Sequence, residues 1–211
     1  MDLAAHALVT RLRGIYAIVN EDERDAVAIA RAALEGGVRI VQYRAKSGIV
    51  AEHALALRDL TRAYHALFIL NDEWRAVQTY GADGVHVGPD DAQSHEMAQI
   101  RSALAGRILG VSCGTEEEAR AAQACGADYI GVGSVYATGS KADAGDPIGI
   151  DGLTRVARST ALPVAAIGGI GLAALPEVRA TGVAMAAVIS AISHARDPRT
   201  AASALVHTWN A

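Results

Sequence analysis

The chain has 211 residues, of which 51% are hydrophobic, 20% charged and 4% aromatic. That length and apolar content suit one domain with a full core and exclude a disordered chain. Nineteen basic residues against 23 acidic ones leave a net charge of −4; with Lys and Arg scattered, no nucleic-acid and no anionic-membrane partner is expected. No apolar run approaches the ~18 residues of a membrane span. Met1-Asp2-Leu3 sets an acid where a signal peptide carries basic charge. Two cysteines, Cys113 and Cys125, are too few for a disulfide framework and fit a reducing compartment. The expectation is a soluble cytoplasmic protein, and a homo-oligomer is compatible with this composition.

In chain order, β-rich runs occupy 15–19, 39–43, 67–70, 84–87, 108–111, 129–132, 164–167 and 186–189. Between them lie stretches with apolar residues at helical spacing, such as Ala26, Ile29, Ala30, Ala33 and Leu34; a last one covers roughly 199–209. Strands alternating with helices in this way predict a parallel sheet closed into a single (β/α)8 TIM barrel, one catalytic domain over 1–211. The rival, an open doubly wound sheet, ordinarily carries GxGxxG after its first strand, and none occurs there. An internal repeat supports the barrel: GVRIVQYR (37–44), GADGVHVG (81–88), GADYIGVG (126–133) and GVAMAAVI (182–189) each set a helix-ending glycine before a buried strand. The extra length in the last interval falls in 133–149, at the C-terminal end of its strand, where barrels of this kind place their chemistry.

The polar residues at the strand ends are the candidates for that chemistry. Strand 2 ends in Gln42, Arg44 and Lys46 on one parity, strand 3 in Asn71-Asp72, and strand 4 leads through Gly88-Pro89 to Asp90-Asp91. Strand 5 ends at Ser112, the long loop carries Thr138, Ser140 and Lys141, strand 7 opens into Gly168-Gly169, and strand 8 ends at Ser190. Taken singly, each has an ordinary reading. Arg44 and Lys46 form a solvated edge paired with Asp72, Asp90-Asp91 caps a helix, Gly168-Gly169 is a tight turn, and His86 is a hydrogen-bonded core residue. Cys113 and Cys125, with no CxxC and no His partner in sequence, read as packing. Taken together the pieces say more. Neighbouring strands lie ~4.8 Å apart, so Asp72 and Asp91 converge above the barrel mouth. Two hard carboxylates without His or Cys suit Mg²⁺ bound to a substrate phosphate. Arg44 and Lys46, with Lys141 folding over, match a diphosphate, while Gly168-Gly169 and the strand 8 exit form a separate monophosphate pocket. No Ser-His-Asp set and no poised carboxylate pair is legible, which leaves displacement of diphosphate driven by electrostatics.

These segments resemble the thiamine phosphate synthase family from GIYAIVN (14–20) to VISAI (188–192). The matching motifs are VQYRAK (41–46), LND (70–72), GADGVHVGPDD (81–91), GVSC (110–113), DYIGVGSVYATGSK (128–141) and AIGGI (166–170). The resemblance implies that a 4-amino-2-methyl-pyrimidinylmethyl diphosphate loses Mg²⁺-bound diphosphate, and that the nitrogen of a thiazole phosphate, with or without its carboxylate, captures the resulting cation. It implies that Gln42, Arg44, Lys46, Asn71, Ser112 and Lys141 hold the pyrimidine diphosphate. Among these, Arg44, Lys46, Ser112 and Lys141 act on the leaving group. Asp72 and Asp91 would bind Mg²⁺, and Thr138, Ser140, Gly169, Ile189 and Ser190 would surround the thiazole phosphate. Three positions depart from the family pattern: Ala45 replaces an acid, Pro89 a Gln and Ser140 a Thr. Two other readings share the barrel. A thiazole tautomerase would place a His at Ser134 and needs no carboxylate pair, and a non-catalytic paralogue that binds thiamine phosphates would be expected to carry a degraded site.

Overall fold

Residues 14–20 form an almost wholly buried run, and in the computed structural model they become the first strand of a closed barrel. The structure describes residues 7–22, 25–88, 94–139 and 146–211. Eight parallel strands pair in chain order, and the eighth returns to the first. They are β1 (Gly14–Asn20), β2 (Ile40–Arg44), β3 (Leu67–Asn71), β4 (Gly84–Val87), β5 (Ile108–Cys113), β6 (Tyr129–Val132), β7 (Val164–Ile167) and β8 (Met185–Val188). The helices between them are α1 (Ala26–Glu35), α2 (Ala51–Ala63), α3 (Val77–Tyr80), α4 (Ser94–Ala103), α5 (Glu116–Ala124), α6 (Gly149–Arg158), α7 (Leu175–Ala180), α8 (Ser190–Ser193) and α9 (Pro198–Asn210). This is the (β/α)8 TIM barrel expected from the alternation, and each run read as a strand is one, with bounds shifted by at most two residues. None of the described helices is long and apolar enough to cross a membrane.

Local signals explain most of the boundaries. The repeated glycines Gly37, Gly81, Gly126 and Gly182 all have positive φ and lead directly into the even strands, so the repeat is a recurring helix stop. At Gly81 the stop comes after a single turn, which makes α3 shorter than a usual barrel helix. Asp25 caps α1 by accepting from the amides of Val27 and Ala28 at 3.0 and 3.1 Å. Thr115 and Glu118 form a capping box on α5. The helix expected over roughly 199–209 is α9, which Asp197 caps and Pro198 opens, and a separate single turn, α8, precedes it.

Two apolar shells hold the barrel. An outer shell lies between sheet and helices, and includes Ile29, Leu57, Phe68, Val85, Leu153 and Leu205. The inner shell holds Leu12, Ile40, Leu67, Ile108 and Met185, which fill the barrel interior and leave its C-terminal mouth for polar side chains. Register sets those polar residues side by side: Asn20 lies opposite Arg44, Asn71 opposite His86, and Ser112 opposite Gly131.

Candidate active site

A cavity of about 340 Å³ opens at the C-terminal ends of the strands. Its floor is a chain of hydrogen bonds crossing the barrel. Gln42 Nε2 donates to the Tyr16 hydroxyl at 2.8 Å, which meets the Tyr129 hydroxyl at 2.9 Å. Tyr129 in turn meets His86 Nδ1 at 3.0 Å, and His86 Nε2 meets Ser112 Oγ at 2.9 Å. The five residues come from β2, β1, β6, β4 and β5, and all line the cavity. The Tyr16 and Tyr129 rings also meet edge-on, with centroids 6.1 Å apart. Two glycines make the room: a Cβ at Gly110 would overlap the Tyr129 ring, and one at Gly131 would lie 2.9 Å from His86 Cε1. His86 is therefore the hydrogen-bonded residue expected from sequence, but it also faces the cavity. Tyr16 and Tyr129 gave no such signal, since each sits in an ordinary apolar strand run. The small residues Gly110 and Gly131 on the inward parity were the available clue.

Of the residues expected at a diphosphate, Gln42, Arg44, Asn71 and Ser112 line this one cavity. Arg44 is only 9% exposed, and its hydrogen-bond partner is Asn20 Oδ1 at 3.4 Å, a long contact to a neutral acceptor. Among the described residues no carboxylate pairs with it. A buried guanidinium so poorly compensated makes a strong demand for an anion. Lys46 lies exposed beyond the end of β2 and does not line the cavity. Lys141 lies outside the described residues.

Asp72 also stands outside the lining, immediately after Asn71. Its φ is +61, a left-handed conformation that costs a non-glycine residue about 1–3 kcal/mol. The Asp72 amide donates to the His86 carbonyl at 2.9 Å, and its carboxylate accepts from Asn71 Nδ2. This oxygen-rich corner suits a hard cation. Among the described residues no group of three or more His, Cys, Asp or Glu is arranged round a metal. A magnesium ion sharing one or two carboxylates with substrate phosphate needs no such cage. Asp91, the expected second ligand, lies outside the described residues, as do Asp90 and Pro89.

The other end of the cavity is built by β6, β7 and β8. The loop after β6 continues the sheet: the Val135 amide donates to the Ile167 carbonyl at 2.9 Å and that of Tyr136 to Gly168 at 3.0 Å. The same loop is tied back at its far end, where the amides of Ile148 and Gly149 donate to Ser134 and Val135. Thr138, Gly168, Gly169, Ile189 and Ser190, which follow β6, β7 and β8, line the same cavity; Ser140 lies outside the described residues. Ser134 Oγ donates to the Tyr136 carbonyl and so helps shape the loop.

The cysteines have packing environments. Burial, with the Glu118 carboxylate second, pushes the Cys113 thiol up to about 12, so thiolate chemistry is closed to it near neutral pH. Cys113→Ser and Cys125→Ala should both retain turnover. Loss of turnover in a variant with unchanged circular dichroism would reveal a covalent role.

Comparison with known proteins agrees over the whole barrel. A family model described as thiamine monophosphate synthase matches residues 15–192. The chain is 39% identical over 203 residues to the thiamine-phosphate synthase of Caldivirga maquilingensis, covering 94% of this chain and 97% of that one. It is 45% identical over 181 residues to the thiamine-phosphate synthase of Archaeoglobus fulgidus, with 84% of each covered. Among solved structures, thiamine phosphate pyrophosphorylase from Pyrococcus furiosus superposes with a TM-score of 0.86 at 37% identity, covering 95% of this chain and 96% of that one.

Proposed function

The chain belongs to the thiamine monophosphate synthase family, and from that premise we propose that its barrel mouth joins a 4-amino-2-methyl-pyrimidinylmethyl diphosphate to a thiazole phosphate. The bond between the methylene carbon and the diphosphate oxygen breaks, leaving its electron pair on the diphosphate. The thiazole nitrogen then gives its lone pair to that carbon, and thiamine phosphate and diphosphate result. The capture moves no proton, so the site must supply charge and orientation rather than a general base.

One observation carries this reading: buried Arg44, short of a counter-charge among the described residues, lines the same cavity as the Gln42 amide and the Ser112 hydroxyl. An amide offers one donor and one acceptor face, which complements the amino group and ring nitrogen of an aminopyrimidine. Gln42, Arg44, Lys46, Asn71, Ser112 and Lys141 would hold the pyrimidine diphosphate. Thr138, Ser140, Gly169, Ile189 and Ser190 would surround the thiazole phosphate. Asp72 and Asp91 would hold a magnesium ion, which when bound supplies positive charge to the diphosphate oxygens. The same reading sets the chain in the cytoplasm with small molecules as its partners, supported by its net charge of −4 and its two free cysteines.

The test is release of diphosphate by the purified chain from the two substrates, with and without magnesium. Release that needs both substrates and the metal is expected. Isomerisation of a carboxylated thiazole phosphate without diphosphate release would favour a tautomerase, and binding without turnover a regulatory paralogue. Asp72→Asn and Asp91→Asn should each raise the magnesium concentration needed for half-maximal rate. An unchanged requirement in both variants would remove them as ligands.

A further inference from the structure

The five-residue chain across the barrel floor has a direction, and that direction determines what Ser112 can offer a substrate. Gln42 donates from its amide nitrogen, so the Tyr16 oxygen is an acceptor in that contact. Burial raises the Tyr16 phenol far above its ordinary range, and does the same to Tyr129. Each therefore keeps its single proton. The described acceptor within reach of the Tyr16 proton is the Tyr129 oxygen at 2.9 Å. Tyr129, having accepted there, turns its own proton to His86 Nδ1 at 3.0 Å. Nδ1 is then an acceptor, and neutral imidazole must carry its proton on Nε2, where it donates to Ser112 Oγ at 2.9 Å. Ser112, with a lone pair occupied by that donation, is left with its O–H to give.

We infer that Gln42, Tyr16, Tyr129 and His86 form a polarity relay that fixes His86 as the Nε2–H tautomer and so presents Ser112 to the cavity as a hydrogen-bond donor aimed at an anion. The inference rests on the reading of this cavity as a diphosphate site. It also excludes the opposite arrangement, in which His86 would draw the Ser112 proton and make a nucleophile. Gln42 here has a second task beyond touching substrate, and Tyr16, Tyr129 and His86 are positioning residues. The relay suits a leaving group that gains negative charge, because a pre-aligned donor need not reorient as the charge grows.

The first test is independent of activity. Long-range proton–nitrogen correlation on the ¹⁵N-histidine-labelled protein, with the His86 signal identified by its loss in His86→Gln, should show neutral imidazole protonated on Nε2. A proton on Nδ1, or on both nitrogens at neutral pH, overturns the relay. The second test is a double-mutant cycle on single-turnover rate. Tyr129→Phe keeps the ring that fills the space at Gly110 but removes the hydroxyl, and should slow the step about tenfold, the scale of one lost charge-assisted hydrogen bond. In a Ser112→Ala background the same change should have little further effect. Full multiplication of the two effects would mean that the hydroxyl acts elsewhere, and overturns the proposal. Should the wild-type chain release no diphosphate at all, the functional reading fails while the tautomer measurement still decides the relay.

Discussion

Arg44→Met should cost the enzyme most of its activity while leaving the unliganded fold as stable as before, or more so. The guanidinium is 9% exposed, and its contact to Asn20 is long and neutral. Removing a charged donor aimed at a developing anion typically lowers kcat by about 10²–10³, some 2.7–4 kcal/mol. The unliganded protein experiences the opposite. A buried charge without a good partner is a net cost, and an apolar side chain of similar length often relieves it. Paired measurements on one variant decide the matter: kcat/KM for the pyrimidine diphosphate, and the thermal midpoint without ligand. A midpoint lowered by many degrees would mean that Arg44 is a structural strut. Unchanged kcat/KM would mean that the anion binds elsewhere. Because the group is buried, added salt should screen the effect only weakly.

The same trade between stability and function explains which parts of the site were legible in the sequence. Arg44, Asn71 and Ser112 stood out because a polar residue at the end of an apolar strand contradicts the local pattern. Contradictions of that kind mark sites. Tyr16 and Tyr129 contradicted nothing, since an aromatic inside GIYAIVN or DYIGVG is ordinary core. Only closure of the barrel brings β1 and β6, far apart in sequence and not neighbours in the sheet, close enough for the two hydroxyls to meet. Lys46 is the converse case. Alternation alone does not carry it to the cavity, because β2 ends at Arg44, past a strand's end the period of two no longer governs direction, and Lys46 lies exposed outside the lining. The strand positions themselves were legible because a parallel barrel buries both faces and writes each strand as a short unbroken apolar run.

Gly169→Val should weaken the thiazole phosphate at least about tenfold, ~1.4 kcal/mol, while changing the affinity for the pyrimidine diphosphate much less. From the sequence, Gly169 belongs to the monophosphate pocket, so bulk added there would be expected to act on the phosphate directly. The structure supplies a different route. A Cβ at this position would lie 2.7 Å from the Ala137 carbonyl oxygen and 2.7 Å from Tyr136 Cβ, so the new side chain presses on the loop after β6. That loop cannot simply lift away, because Val135 and Tyr136 donate to Ile167 and Gly168 and its far end is tied through Ile148 and Gly149. The displacement must pass along the chain to Thr138, the next residue and part of the cavity wall. A φ of +65 adds strain for a β-branched side chain, so a lower thermal midpoint is expected as well. Gly169→Ala keeps the Cβ collision with the loop and the strain of the positive φ and sheds only the branching. Its thiazole phosphate affinity should remain impaired, with a midpoint lowered less than in Gly169→Val. Calorimetric titration of both variants with each substrate provides the ranking. A greater loss for the pyrimidine diphosphate would mean that the two ends of the cavity have been exchanged.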